Sequence, residues 1–285
     1  MPEFLLDGTL AWPFAALLSL MVGSFLNVVI LRLPKMMELE WQAEIAEASG
    51  DETAEQERFN LSHPRSRCNQ CNHMIAWYEN IPVISWVVLR GKCSECATPI
   101  SKRYPLIEVL TAIIGAFIGY RFGLGLEGFG LLLLSWSLIA LTFIDIDHQL
   151  LPDRITLPLV WLGLLLNTQE VFTTLSSAVW GAAAGYLSLW LVYWGFKLLT
   201  GKEGMGYGDF KLLAAIGAFG GVGVLPLTIL LSSIVGVILT LLIAATGKRS
   251  VSEPLPFGPY LAIAGWVAII WGDPINDWYF GLLVG

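Results

Sequence analysis

The chain has 285 residues, 55% of them hydrophobic and only 14% charged, with a mean hydropathy of +0.67. These proportions exclude an ordinary soluble domain and describe a chain that lies mostly within a bilayer. The net charge of −7 offers no signal for nucleic acid, whose binding requires a basic surface.

Apolar runs near residues 10–31, 106–124, 127–144, 155–167, 176–196, 211–224, 226–246 and 258–272 predict eight membrane-spanning helices. Several fall short of the roughly 20 residues that a span requires. The first run is expected to remain as a span and not be cleaved, because Pro2 and Glu3 replace a basic start and no small-x-small site follows. The predicted organisation is a first span (1–31), a soluble insert (32–105) and a seven-span block (106–285).

Within the insert, residues 36–60 read as a helix and 61–104 as an irregular cysteine-bearing module. The helix carries Glu38, Glu40, Glu44, Glu47, Asp51, Glu52, Glu55 and Glu57, either as a solvated face or as an acidic surface for a basic partner. The run Ile81–Leu89 is too short to span. It reads as a buried strand or hairpin piece, or as a segment resting on the membrane. Pro105 is expected to stop the module and begin the second span. Four glycines in residues 201–208 predict a loop that a substrate backbone can approach closely.

Basic residues set the orientation. No Lys or Arg occurs in the first nine residues, and nine occur from Arg32 to Arg103. With eight alternating spans and that segment cytoplasmic, 15 of the 16 basic residues fall on the cytoplasmic side, leaving Arg121 outside. Both termini then face the periplasm, and Asp145, Asp147, Asp153 and Asp209 all lie at the cytoplasmic face.

All four cysteines lie in the insert, as Cys68-x-x-Cys71 and Cys93-x-x-Cys96, with 21 residues between the pairs. This is Cys₄ spacing for a structural zinc ion, with no position left open for water. Two disulfides are the rival reading, and the reducing compartment implied by the charge count argues against them. His63 and His73 flank the cysteines, either as supporting groups or as bystanders.

The carboxylates follow. Asp145-Ile146-Asp147 ends the third predicted span, and Leu151-Pro152-Asp153 precedes the fourth, where Asp153 suits a helix N-cap. Asp209 stands in Gly206-Tyr207-Gly208-Asp209-Phe210-Lys211 before the sixth. Each alone is most simply a cap or a solvated carboxylate. Together they converge on one membrane face, and two carboxylates sharing a proton can activate water for hydrolysis. His148 beside them reads as solvated.

The chain resembles the bifunctional type IV prepilin peptidases, in the zinc-bearing bacterial branch. The matching pieces are Gly23-Ser24-Phe25-Leu26-Asn27-Val28-Val29, Arg32-Leu33-Pro34, both CxxC pairs, Asn80-Ile81-Pro82, Ser85-Trp86 and Leu89-Arg90-Gly91. They continue with Ile100-Ser101-x-Arg103-Tyr104-Pro105-x-x-Glu108, Asp145-x-Asp147, Leu151-Pro152-Asp153 and Gly206-x-Gly208-Asp209-x-Lys211. The archaeal preflagellin relatives lack the cysteine module and fit less well.

The resemblance implies an all-α polytopic inner-membrane protein of about eight helices, with a small cytoplasmic zinc module after the first. It implies an aspartyl endopeptidase that removes the basic leader of prepilins and pseudopilins between Gly and usually Phe. The enzyme then methylates the new N-terminal amine with S-adenosylmethionine. By motif position the catalytic pair falls on Asp145 and Asp209, with Asp147, Asp153, Gly206, Gly208 and Lys211 supporting. No strand-Gly-x-Gly-x-x-Gly-helix pattern marks a cofactor site. Gly91 and Glu108 are the candidates in the insert region: Gly91 by close approach or simply as a turn, Glu108 by holding the new ammonium or pairing with Arg103. The rival classes are a transporter with ion-binding aspartates, disfavoured by the lack of an internal repeat, and a zinc-module scaffold.

Overall fold

The computed structural model describes residues 8–50, 59–202, 204–245 and 256–284. Among these residues the regular structure is helical, with two isolated β-bridges, Arg67 to Met74 and Lys92 to Pro99, closing the two cysteine loops. Each of the eight apolar runs forms a helix. Among the described residues five helices are long and apolar enough to cross a membrane, which makes this an all-α, multi-pass membrane protein. The chain divides into two compact units, Met1–Ala140 and Leu141–Gly285.

The first unit contains α1 (Gly8–Ser49), α2 (Ile84–Val88), α3 (Arg103–Phe122) and most of α4 (Leu126–His148). The expected break between the first span and the insert helix is absent, because α1 runs through Pro34 without stopping. Proline removes one backbone donor, and the following stretch, Met36 to Ala48, consists almost entirely of good helix formers. The acidic run from Asp51 to Glu57 lies outside the described residues.

α1 packs along α3. Gly115 and Gly119 of α3 meet the Ala15–Ser19 and Ala11–Ala15 faces of α1, so the two backbones approach closely. Asn27, buried where α1 meets the start of α3, donates from Nδ2 to the carbonyls of Gly23 and Tyr104, at 3.3 and 3.2 Å. Pro105 sits in the first turn of α3 rather than ahead of it, a position where its missing N–H costs nothing.

The second unit contains α5 (Asp153–Asn167), α6 (Leu175–Thr200), α7 (Tyr207–Gly220), α8 (Val224–Ala245) and α9 (Gly258–Val284). Its centre is α7, whose residues from Asp209 to Phe219 are all buried except Lys211, and which packs against α5, α6 and α9. Gly181 of α6 and Gly217 of α7 face each other so closely that a Cβ on either would strike the other's backbone. Asn167, at the end of α5, donates to the carbonyls of Ala218 and Phe219 and accepts from the amides of Phe172 and Thr173. One side chain thereby satisfies carbonyls at the end of α7 and amides of the loop ahead of α6.

α5 and α7 have only 15 and 14 residues, about 22 and 21 Å at 1.5 Å per residue. They are the shortest of the eight apolar helices, and both carry a candidate aspartate in the first turn.

Candidate active site and metal centre

Asp145 lies in the last turn of α4 and Asp209 in the first turn of α7. They are only 5% and 6% exposed. A buried carboxylate is costly unless it is bonded or used. Oδ2 of Asp145 accepts from the Gly258 amide at 2.9 Å, which fixes one oxygen at the start of α9. A Cβ at Gly258 would lie 2.7 Å from that same oxygen, so glycine is what lets the backbone come this close.

Leu151 joins this contact to Asp209. It packs against Gly258 on one side and against Gly208 on the other, where a Cβ would meet it at 2.7 Å. The ends of α4, α7 and α9 thus close around one leucine, and the two carboxylates lie within electrostatic reach of each other.

The neighbouring acids behave differently. Asp153 is not the N-cap of α5: Pro152 holds that place and no side chain caps the helix. Instead both its oxygens accept from Nζ of Lys211, at 2.6 and 2.7 Å, tying the first turn of α5 to that of α7. A lysine one turn into α7 draws the carboxylate away from the local amides. Asp147 and His148 are exposed on the last turn of α4. Gly206 is the N-cap of α7 and Gly208 its second residue.

In the insert, the four cysteine sulfurs lie within 4.8 Å of one another. The Cys68–Cys96 and Cys71–Cys93 sulfurs are 3.7 and 3.9 Å apart. Zn–S bonds of about 2.3 Å place tetrahedral ligands about 3.8 Å apart, so the cluster has the dimensions of a four-cysteine zinc site. All four cysteines are free, and the disulfide reading has no support. Hydrogen bonds from the Thr98 hydroxyl and amide pull the Cys96 thiol down to about 6. Against a lowering hydrogen bond from the His73 backbone, burial and the neighbouring sulfurs push Cys71 up to about 12. Such a set ionises fully only around a cation.

Glu79 braces this cluster, a residue that the spacing argument passed over. It accepts from Ser94, from the Ala76 amide at 2.8 Å and from His73 Nε2 at 3.3 Å, and these contacts hold its carboxyl below the usual range. His73 and Ser94 follow or adjoin cysteines of different pairs, so one carboxylate links the two loops.

Ile81–Leu89 is neither strand nor hairpin: Trp77–Asn80 forms a 3-10 turn and Ile84–Val88 the short helix α2. Its apolar side chains are not buried either, since Ile84, Val87 and Val88 stand exposed. Gly91 turns the chain at φ +67°, and the Trp86 ring covers it where a Cβ would go. Glu108 is buried on α3, where it accepts from the Val83 amide at 2.7 Å and from the Ser24 side chain.

Residues 17–122 match the family model described as the bacterial peptidase A24 N-terminal domain, and residues 132–241 match that of the type IV leader peptidase family. A prepilin leader peptidase/N-methyltransferase of Stutzerimonas stutzeri is 55% identical over 285 residues, covering 97% of this chain and 96% of the relative. Proteins of the same description from Pseudomonas aeruginosa and Aeromonas hydrophila are 55% and 56% identical, each covering 92% of this chain and 91% of the relative. No solved structure matches the chain. At this identity and coverage, the chain belongs to the prepilin leader peptidase/N-methyltransferase family.

Proposed function

We propose that this protein is an inner-membrane aspartyl endopeptidase that removes the basic leader of type IV prepilins and type II secretion pseudopilins, then methylates the new N-terminus. The observation that carries the reading is the convergence of two buried aspartates from α4 and α7 around Leu151, in a chain of this family. Eight helices cross the membrane, both termini face the periplasm, and the insert and the aspartates face the cytoplasm. The placement of 15 of 16 basic residues on one side supports that arrangement.

In the proposed reaction one of Asp145 and Asp209 is ionised and the other protonated. The ionised carboxylate takes a proton from water as its oxygen attacks the scissile carbonyl carbon. The protonated one gives its hydrogen to the carbonyl oxygen, forming a tetrahedral diol. On collapse the C–N bond breaks, the leaving nitrogen takes the proton that came from water, and the diol returns the other. The Gly258 amide holds Asp145 in place by its Oδ2 throughout. Asp153 and Lys211 fix the start of α7, and with it the position of Asp209. Gly206, at the N-cap of α7, leaves room for the substrate backbone, Gly208 lets Leu151 pack against α7, and Asp147 supplies charge at the exposed edge.

A zinc ion held by Cys68, Cys71, Cys93 and Cys96 would maintain the insert and, with four thiolates, bring no reactive position to the chemistry. S-adenosylmethionine supplies an electrophilic methyl group to the amine left by cleavage. Gly91 and Glu108 are both buried and already in contact with Trp86 and Val83. Those contacts support a part in shaping the methyl-transfer module.

The test is a single reaction. Purified full-length protein in detergent is incubated with full-length prepilin and labelled S-adenosylmethionine, and the products are weighed. The expected product lacks the leader, begins at the residue after the glycine and carries one labelled methyl group. An intact leader across a range of lipid and pH conditions would overturn the peptidase reading.

A further inference from the structure

The insert turns an apolar, aromatic face outward. Trp77 is 78% exposed and Val88 72%, and Tyr78, Ile84 and Val87 are also exposed. On α2 the exposed residues stand at positions i, i+3 and i+4, one face of a helix, while Trp86 turns inward to donate from Nε1 to the Ile100 carbonyl at 3.3 Å. An aqueous surface module would place polar residues on that outer face. The exposed, basic Arg90 and Lys92 follow α2 in the chain, and the exposed Lys102 caps the start of α3.

The position of this face relative to a bilayer is fixed by one hydrogen bond. Glu108 of α3, a membrane-spanning helix, accepts from the amide of Val83, the residue just before α2. Val83 is itself held at φ +60°, an unfavourable conformation for a β-branched residue. Glu108 lies five residues into α3, about 7.5 Å along the helix from Arg103. α2 is thereby held beside the first turns of a candidate span, where an interfacial helix buries its apolar face at a depth of about 5–10 Å. Aromatic residues and flanking cations are the composition such a depth selects.

We infer that Trp77–Val88 is an interfacial anchor that seats the cysteine module on the bilayer surface, with Ile84, Val87 and Val88 among the acyl chains and Arg90, Lys92 and Lys102 at anionic headgroups. The partner is lipid. The inference rests on α3 crossing the membrane and is independent of the peptidase chemistry.

The full-length protein is reconstituted in nanodiscs of phosphatidylethanolamine and phosphatidylglycerol with p-benzoylphenylalanine at Val87 or Val88, or at Asn69 beside the cysteines as a control. Unchanged helical circular dichroism confirms that each chain is folded. After illumination, mass spectrometry should find lipid adducts at least about fivefold more abundant at positions 87 and 88 than at 69. Equal yields at all three positions would overturn the anchor. So would adducts at 87 and 88 that form with an added prepilin and not with lipid, which would make the face a peptide-docking surface. Failure of prepilin cleavage leaves this readout unaffected, so the two readings can fail separately.

Discussion

The cysteine module and the α5–α7 bundle keep their shape by opposite means. The bundle is packed: α7 is buried along nearly its whole length, Gly217 meets Gly181 backbone to backbone, and Asn167 closes the remaining donors and acceptors. The module has almost no core. Gly91 alone is buried between residues 59 and 102, and Glu79, Glu108 and the cysteine cluster hold the chain by polar contacts. Packing resists perturbation at any one point better than a few pins do. The two regions should therefore respond differently to the loss of a single group.

The largest effect is expected from the metal. Chelation, or Cys71→Ser, should unfold the module while α5–α9 stay helical, since structural zinc contributes on the order of 10 kcal/mol to such sites. Limited proteolysis should then cut within residues 59–102 and spare the second unit. Protection of the module after complete chelation would show that it does not depend on metal.

Asn167→Ala should be the costliest single change in the bundle. It leaves two carbonyls and two amides without partners in a buried setting, a loss of about 2–4 kcal/mol. A fall in melting temperature in detergent would report it, and a melting curve unchanged from wild type would argue against the helix-end role.

Glu79→Gln comes next. Losing this brace should weaken zinc binding by roughly 10- to 100-fold, the usual cost of a group that orients metal ligands. Its carboxyl is held below the ordinary value in the folded protein, so its contribution is complete above the unfolded value near 4.5 and fades as pH falls through the lower folded one. The wild type should thus lose more module stability than the variant as pH falls below the unfolded value near 4.5. Parallel pH curves would remove Glu79 from the account.

Lys211→Met should cost the least in stability, about 0–1 kcal/mol, because Asp153 is half exposed. Its effect should appear instead in turnover of prepilin, with substrate affinity little changed. A variant of wild-type turnover would mean that the Asp153 pair does not position Asp209.

How much of this was legible in the chain follows the same division. The eight apolar runs each became a helix, because in lipid a continuous apolar run has almost no other way to satisfy its backbone. The cysteine spacing likewise contained the metal geometry. Where short-range signals compete, the reading failed. The first span and the insert helix read as separate elements, yet the one missing donor at Pro34 did not outweigh the helix formers that follow it. Ile81–Leu89 read as a buried strand or hairpin piece or as a segment resting on the membrane, and the buried strand did not form, because a short apolar run does not reveal whether protein or lipid will cover it. Asp153 looked like a cap until Lys211, 58 positions away, claimed both its oxygens. Glu79, Asn167 and Gly258 bear no local mark at all, since each acts on groups brought to it by folding.

The central claim is that Asp145 and Asp209 act as one unit. Asp145→Asn and Asp209→Asn, each nearly isosteric and each checked for wild-type melting behaviour, should be assayed on full-length prepilin. The same preparations should be given pre-cleaved pilin with labelled S-adenosylmethionine. Both variants should lose cleavage by at least about a thousandfold, and the double variant should be no worse than either alone. Methylation of the pre-cleaved pilin should continue in all of them. Cleavage within tenfold of wild type in either single variant would contradict the shared dyad.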